Sequence, residues 1–152
     1  MQRSYLLCCT LLTALLGACE KEKPESKADL LVGKNWQTTA LTVTLSGAQT
    51  GTTDAYALLP ACQKDNFLRF DANKTLEVNE GADVCPDTEP QTKGTWDISA
   101  DQTKLNLGLA RYSSIAAVQV SIEELSAGRL VLKSTVVQPE LTTVTVTTYA
   151  VR

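Results

Sequence analysis

Cys62-Gln63-Lys64-Asp65-Asn66-Phe67-Leu68-Arg69-Phe70 runs into Asp71-Ala72-Asn73-Lys74 and on to Thr75-Leu76-Glu77-Val78-Asn79. Two short runs rich in apolar and β-favouring residues flank a turn in which Asp71 and Asn73 can bond their own backbone. That pattern predicts a hairpin. A loop carrying Cys85 follows, and then Gly94-Thr95-Trp96-Asp97-Ile98. The unit therefore contains a hairpin, a cysteine on each side of it and a buried-type Trp, and neighbouring strands must pack against it.

Outward from this unit the chain reads as β nearly throughout. Asn35 to Leu45 places Leu41, Val43 and Leu45 on one parity, with Trp36 near its start. Ser46 to Thr53 reads as a loop. Asp54 to Ala61 is predicted as a helical turn or two, capped by Asp54 and ended by Pro60. Lys93–Ser99 and Lys104–Leu109 flank a turn at Ala100-Asp101-Gln102-Thr103. Ile115 to Leu125 alternates, with Val118, Val120 and Ile122 against Gln119, Ser121 and Glu123. Arg129–Val137 and Thr142–Val151 are the last strands, parted by Pro139. Eight strands on short connections imply an antiparallel up-and-down meander, and closing it into a barrel removes the exposed edges.

The 152 residues carry a net charge of -3 and no histidine. One ordinary domain is implied, and no basic surplus favours nucleic acid. Without histidine a Ser-His-Asp or Cys-His catalytic set is impossible within the chain. The commonest metal ligand is also missing. No enzyme activity, metal or cofactor is expected.

The N-terminus reads as a targeting segment. Arg3 supplies its positive end, and Tyr5 to Leu16 is an apolar run too short for a comfortable membrane span. Leu16-Gly17-Ala18-Cys19 resembles the lipobox of bacterial lipoproteins. The resemblance implies cleavage before Cys19 and lipidation of its thiol; the other reading is a plain secretory signal. Residues 1–18 are thus expected to be the signal peptide, and 19–29 the lipidated cysteine and an extended, solvated tether. The domain is expected over 30–152. Glu20 in place of Asp implies outer-membrane sorting. Lys21-Glu22-Lys23 is similar to the charged stretch of some surface-displayed lipoproteins, and equally fits a soluble spacer. Cys8 and Cys9 fall in the discarded part. Cys62 and Cys85 remain as a pair in an exported domain, which reads as a disulfide worth about 3 kcal/mol by loop entropy.

Cys62, Asp65, Phe70, Cys85, Gly94 and Trp96 together resemble the small lipocalin-like domains of lipoproteins from Bacteroidetes. Gly33 before Trp36 is similar to the Gly-x-Trp of lipocalin first strands, with one extra residue. The resemblance spans roughly Leu31 to Val151 and implies a barrel with a ligand mouth. Lipocalins are usually longer and carry a terminal helix, so a small, shallow or filled cavity is expected. Trp36, Phe70, Trp96, Val118 and Val120 are the candidate ligand residues; Trp36 and Trp96 fit a core role as well. Asp83, Asp87 and Glu89 could meet a cation or simply be solvated. Glu123 and Glu124 are adjacent and expected on opposite faces, a poor acid/base pair. Arg111 and Tyr112 are expected near a barrel end.

Two functions follow as expectations. One is a membrane-anchored protein binding a small apolar or amphipathic ligand. The other is an envelope structural or interaction module with a filled barrel and a protein partner. The lipobox reading has its own test. Cys19→Ala is expected to leave an uncleaved or mislocalised precursor that takes up no labelled fatty acid. Equal label in wild type and variant removes the lipoprotein reading.

Overall fold

The computed structural model describes residues 25–109 and 118–152. The signal region, Cys19, Arg111, Tyr112 and the expected strand start at Ile115 lie outside the described residues. Two short helices, α1 (Lys27–Leu31) and α2 (Ala61–Lys64), accompany nine strands. The strands are β1 (Asn35–Gly47), β2 (Gly51–Asp54), β3 (Phe67–Phe70), β4 (Thr75–Asn79), β5 (Gln91–Ile98), β6 (Lys104–Leu109), β7 (Val118–Leu125), β8 (Arg129–Gln138) and β9 (Leu141–Val151).

From β3 to β9 each strand pairs antiparallel with the next, and β9 returns to pair with β1, which also pairs with β3. Eight strands thus form a closed up-and-down barrel, the architecture that the lipocalin resemblance implies. The ninth strand is an addition. β2 lies where a loop was expected and pairs Thr42–Leu45 of β1, beyond the point where β3 lets go. The run Gly51-Thr52-Thr53 has no apolar side chain, so no alternation announced it.

Two β-bulges set which residues face inward. Thr38 of β1 pairs with Tyr149, but the next pair is Ala40 with Thr148. Thr39 is the extra residue, and it switches the parity of everything after it. Trp36 and Thr38 before the bulge therefore share the inner face with Leu41, Val43 and Leu45 after it. In β7 the register slips between Ile122 and Glu124. Val120 and Ile122 keep the inner face on one side of the slip, and Leu125 takes it on the other. The same bulge corrects the expectation that Glu123 and Glu124 point to opposite faces. Both are exposed, Glu123 3.2 Å from Lys133 and Glu124 2.9 Å from Arg129.

One end of the barrel is closed. Leu31, Trp36, Phe70, Leu76, Trp96, Leu105 and Leu130 are buried there around a common core. Trp36 donates its indole N–H to the Leu31 carbonyl at 2.9 Å, and Trp96 donates to the Asp71 carbonyl at 3.0 Å. Phe70 meets Trp96 edge-on, ring centroids 5.4 Å apart, a geometry worth about 0.5–1.5 kcal/mol beyond area burial. The Asp71–Lys74 turn closes as its residues predict, with Asn73 Oδ1 accepting from the Thr75 N–H.

α1 begins in the stretch expected to be extended tether, which ended at Asp29, and runs into the expected domain. Ser26 and Asp29 form a reciprocal capping box, a sequence signal at helix starts. Lys27 Nζ donates to the Gln102 carbonyl at 2.8 Å, and Leu31 is fully buried. Lys27 to Asp29, expected as extended tether, are thus helical, and Leu31, inside the expected domain, is the residue of α1 that is buried. The expected helical turns are displaced too. Asp54 Oδ1 accepts from the Ala57 N–H and caps a turn, but Pro60 precedes the helix instead of ending it.

Cys62 on α2 and Cys85 on the β4–β5 loop form the disulfide, Cα atoms 5.2 Å apart. It staples the open rim, not the floor. Replacing both cysteines by Ser is expected to cost about 2–5 kcal/mol in denaturant unfolding. Two free thiols in protein recovered from its native compartment contradict the pairing.

Candidate functional site

The barrel walls differ in height. β3 and β4 have four and five residues, while β1, β8 and β9 have 13, 10 and 11. The tall wall therefore rises past the low one, and the segment from Ala55 to Asn66 leans across the difference. The Tyr56 N–H donates to the Leu41 carbonyl, and Gln37 Nε2 donates to the Lys64 carbonyl at 2.9 Å.

Beneath this segment lies a cavity of about 190 Å³. Thr38, Leu68, Val78 and Tyr149 belong to strands that form the barrel wall; Leu59, Gln63, Asn66 and Phe67 come from the roofing segment and the start of β3. Trp36 and Phe70 lie two residues from Thr38 and Leu68 along β1 and β3, toward the closed end, and do not line it. A volume of this size corresponds to about six waters at their share in the liquid. It is below the range usual for drug-sized ligands.

The rim is rich in acceptors. Glu80, the first residue after β4, is the one buried charged side chain among the described residues, 6% exposed. Asn66 Nδ2 donates to its carboxylate at 3.1 Å. No described Lys or Arg pairs with it. The Oδ1 atoms of Asn66 and Asp65 are both buried without a hydrogen-bond partner. A buried acceptor left so costs about 1–3 kcal/mol.

Asp65 Oδ2 is better served. It accepts from the Ala82 N–H at 2.7 Å and the Asp83 N–H at 3.2 Å. The Ala82 bond, chiefly, holds the Asp65 carboxyl below its ordinary value of 3.8 against the opposing effect of burial. The bonds to Asp83 and to its own N–H, with the Arg152 charge, add to the lowering. Gly81 makes this approach possible. Its φ is +76°, and a Cβ there would collide with the Asp65 carboxylate.

None of Trp36, Phe70, Trp96, Val118 and Val120 is among the cavity's lining residues. Trp36, Phe70 and Trp96 are buried in the floor, Val120 is buried in the core, and Val118 is 43% exposed. Trp96 borders a different depression, of about 280 Å³ outside the floor, with Ala28 and Lys74. The residues that do line the cavity were passed over because Thr38, Asn66 and Gln63 carry no pattern of their own. The β1–β9 register, unbroken from Trp36, brings Thr38 opposite Tyr149. Asp83, Asp87 and Glu89 form no metal-binding cluster, and none exists among the described residues. A larger depression of about 460 Å³ is lined by Ala48, Gln49 and the Gln138–Leu141 hairpin tip. Its residues are nearly all exposed turn positions, so it is a surface dent.

No protein-family profile matches the sequence, and no curated protein matches it. Among solved structures, the chain is similar to bovine odorant binding protein in complex with a selenium-containing odorant. Identity is 14%, over 88% of this chain and 77% of that one, with a TM-score of 0.47. It is also similar to a deswapped triple mutant of bovine odorant binding protein, at 16% identity over 80% and 73%, with a TM-score of 0.42.

Tyr149 gives the site a titration handle. Burial pushes its phenol from the ordinary 10.0 up to about 12, against a hydrogen bond with Thr147 that lowers it. A raised folded-state value means the contribution to stability is complete below the unfolded value and is lost as pH rises through the folded one. Between pH 10.0 and about 12 the unfolded chain has shed this proton and the folded chain still holds it. Tyr149→Phe is therefore expected to flatten the fall in stability across that window in urea unfolding. Parallel falls in wild type and variant contradict the burial of the phenol.

Proposed function

We propose that this chain is an exported, lipid-anchored binding protein of the cell envelope, holding a small amphipathic molecule in the cavity beneath its rim. The observation that carries the binding reading is the cavity itself. It lies inside a closed barrel, with apolar walls at Leu68 and Val78 and polar groups at Thr38, Asn66 and Tyr149. Sites for small molecules combine apolar walls with a few placed polar groups in this way.

The Leu16-Gly17-Ala18-Cys19 run supports the anchor, and Glu20 supports the outer membrane. Seven positions separate Cys19 from the Ser26 cap at the closed end, a reach of at most about 25 Å. On this reading the anchor holds the floor toward the membrane and leaves the mouth toward water.

The filled-module reading also has support, since aromatic and leucine side chains fill the floor and the remaining cavity is small. Calorimetric titration of the full chain in mild detergent decides between them. Short-chain alcohols such as 1-pentanol are expected to bind saturably, and retinoids and long fatty acids to be too large. Val78→Phe, which overpacks the cavity, is expected to abolish binding. If no short-chain probe saturates, the structural module is the better reading.

A further inference from the structure

We infer that the head group recognised in the cavity is a hydrogen-bond donor carrying positive charge, so that the ligand class is a short amphipathic amine. This rests on the proposed cavity reading and adds the ligand's chemistry to it.

Three oxygen-bearing side chains meet where α2 runs into β3 and where β4 ends. Glu80 holds a buried carboxylate whose one side-chain partner among the described residues is the neutral amide of Asn66. Asn66 lines the cavity and, having spent its N–H on Glu80, keeps a buried Oδ1 with no donor. That assignment of the amide follows from the carboxylate, which accepts and does not donate. Asp65, next in the chain, keeps a second Oδ1 without a donor. No described cation pairs with Glu80, and the acids do not cluster as metal ligands.

At its Asp65 end the locus has Arg152, which donates to the Asp65 carbonyl at 3.0 Å and whose charge acts on the Asp65 carboxyl. At its Asn66–Glu80 end it is short of donors and, among the described residues, of a paired cation. An ammonium supplies both, with three N–H donors and no acceptor. Passing over the paired Leu68 and Val78 of the cavity wall, it reaches Asn66, which holds Glu80. Its hydrocarbon part stays on the apolar wall. The bond it makes to Oδ1 is charge-assisted, and the charge it brings offsets a carboxylate otherwise buried alone. A carboxylate ligand meets the opposite situation, adding a second anion to a site already rich in acceptors. An alcohol offers one donor and no charge. The volume of about 190 Å³ limits the hydrocarbon part to a short chain.

The test titrates the full chain in mild detergent with n-pentylamine hydrochloride, 1-pentanol and sodium pentanoate, followed by calorimetry. The amine is expected to bind about ten-fold tighter than the alcohol, with pentanoate weakest. Glu80→Gln, close to Glu in size and shape, is expected to shrink that amine-to-alcohol ratio toward one. Equal affinities for amine and alcohol in the wild type overturn this inference and leave the cavity reading standing. Preference for pentanoate also overturns it. An undiminished ratio in a folded Glu80→Gln protein removes Glu80 from the recognition. Saturation by none of the three overturns the inference together with the binding reading beneath it.

Discussion

The structure depends on the pairing of β1 with β9. Eleven register pairs run from Trp36–Val151 to Gly47–Leu141, and without them the meander is an open sheet with two exposed edges. Closure alone would not make a core. β1 must present Trp36 at its start and Leu41, Val43 and Leu45 further on, residues of opposite parity. The extra residue at Thr39 reconciles them, and the slip after Ile122 does the same for β7. The two bulges are thus conditions for a closed barrel with a continuous apolar interior. The first of them directly follows Thr38, which lines the cavity.

The two ends of the barrel are held by different physics. At the floor, burial dominates: fully buried Trp36, Phe70 and Leu31 pack together, and both indole N–H groups find carbonyls. At the rim, covalent and polar links dominate, with the disulfide, the Asp65 bonds to the Ala82 and Asp83 N–H groups, and the Asn66–Glu80 contact. The low wall of β3 and β4 buries too little to hold α2 by packing, since α2 has no buried residue. A disulfide there constrains a segment that packing does not, and it fixes the roof over the cavity. The same polar links leave acceptors in surplus at the rim, which is why the proposed recognition is placed there and not at the floor.

Much of the fold was legible in the residues. The hairpin at Phe67–Asn79, the turns at Asp71–Lys74 and Ala100–Thr103, and the alternation from Val118 each rest on short-range chemistry that the chain states directly. The cysteine pair was legible because elimination left two. β2 was not, because Gly51-Thr52-Thr53 has no apolar side chain and gains its place only from the free upper edge of β1. The first three residues of α1 were read as tether because Lys27-Ala28-Asp29 is polar and short, and the Ser26–Asp29 capping box was passed over. The cavity was the least legible. Trp36 and Phe70 drew attention as large aromatics, but size sends such residues to the floor. Asn66, Gln63, Thr38 and Glu80 become neighbours only through register, a bulge and a roofing segment.

On the proposed reading a small molecule occupies the cavity beneath the roofing segment. Nuclear Overhauser effects between a short-chain amphipathic probe and the protein test it most directly. Contacts from the probe to the Leu68 and Val78 methyls and the Tyr149 ring, with none to the exposed hairpin tip at Gln138–Leu141, are the result expected. Contacts confined to the hairpin tip, or to Ala72 and Lys74 outside the floor, would contradict it.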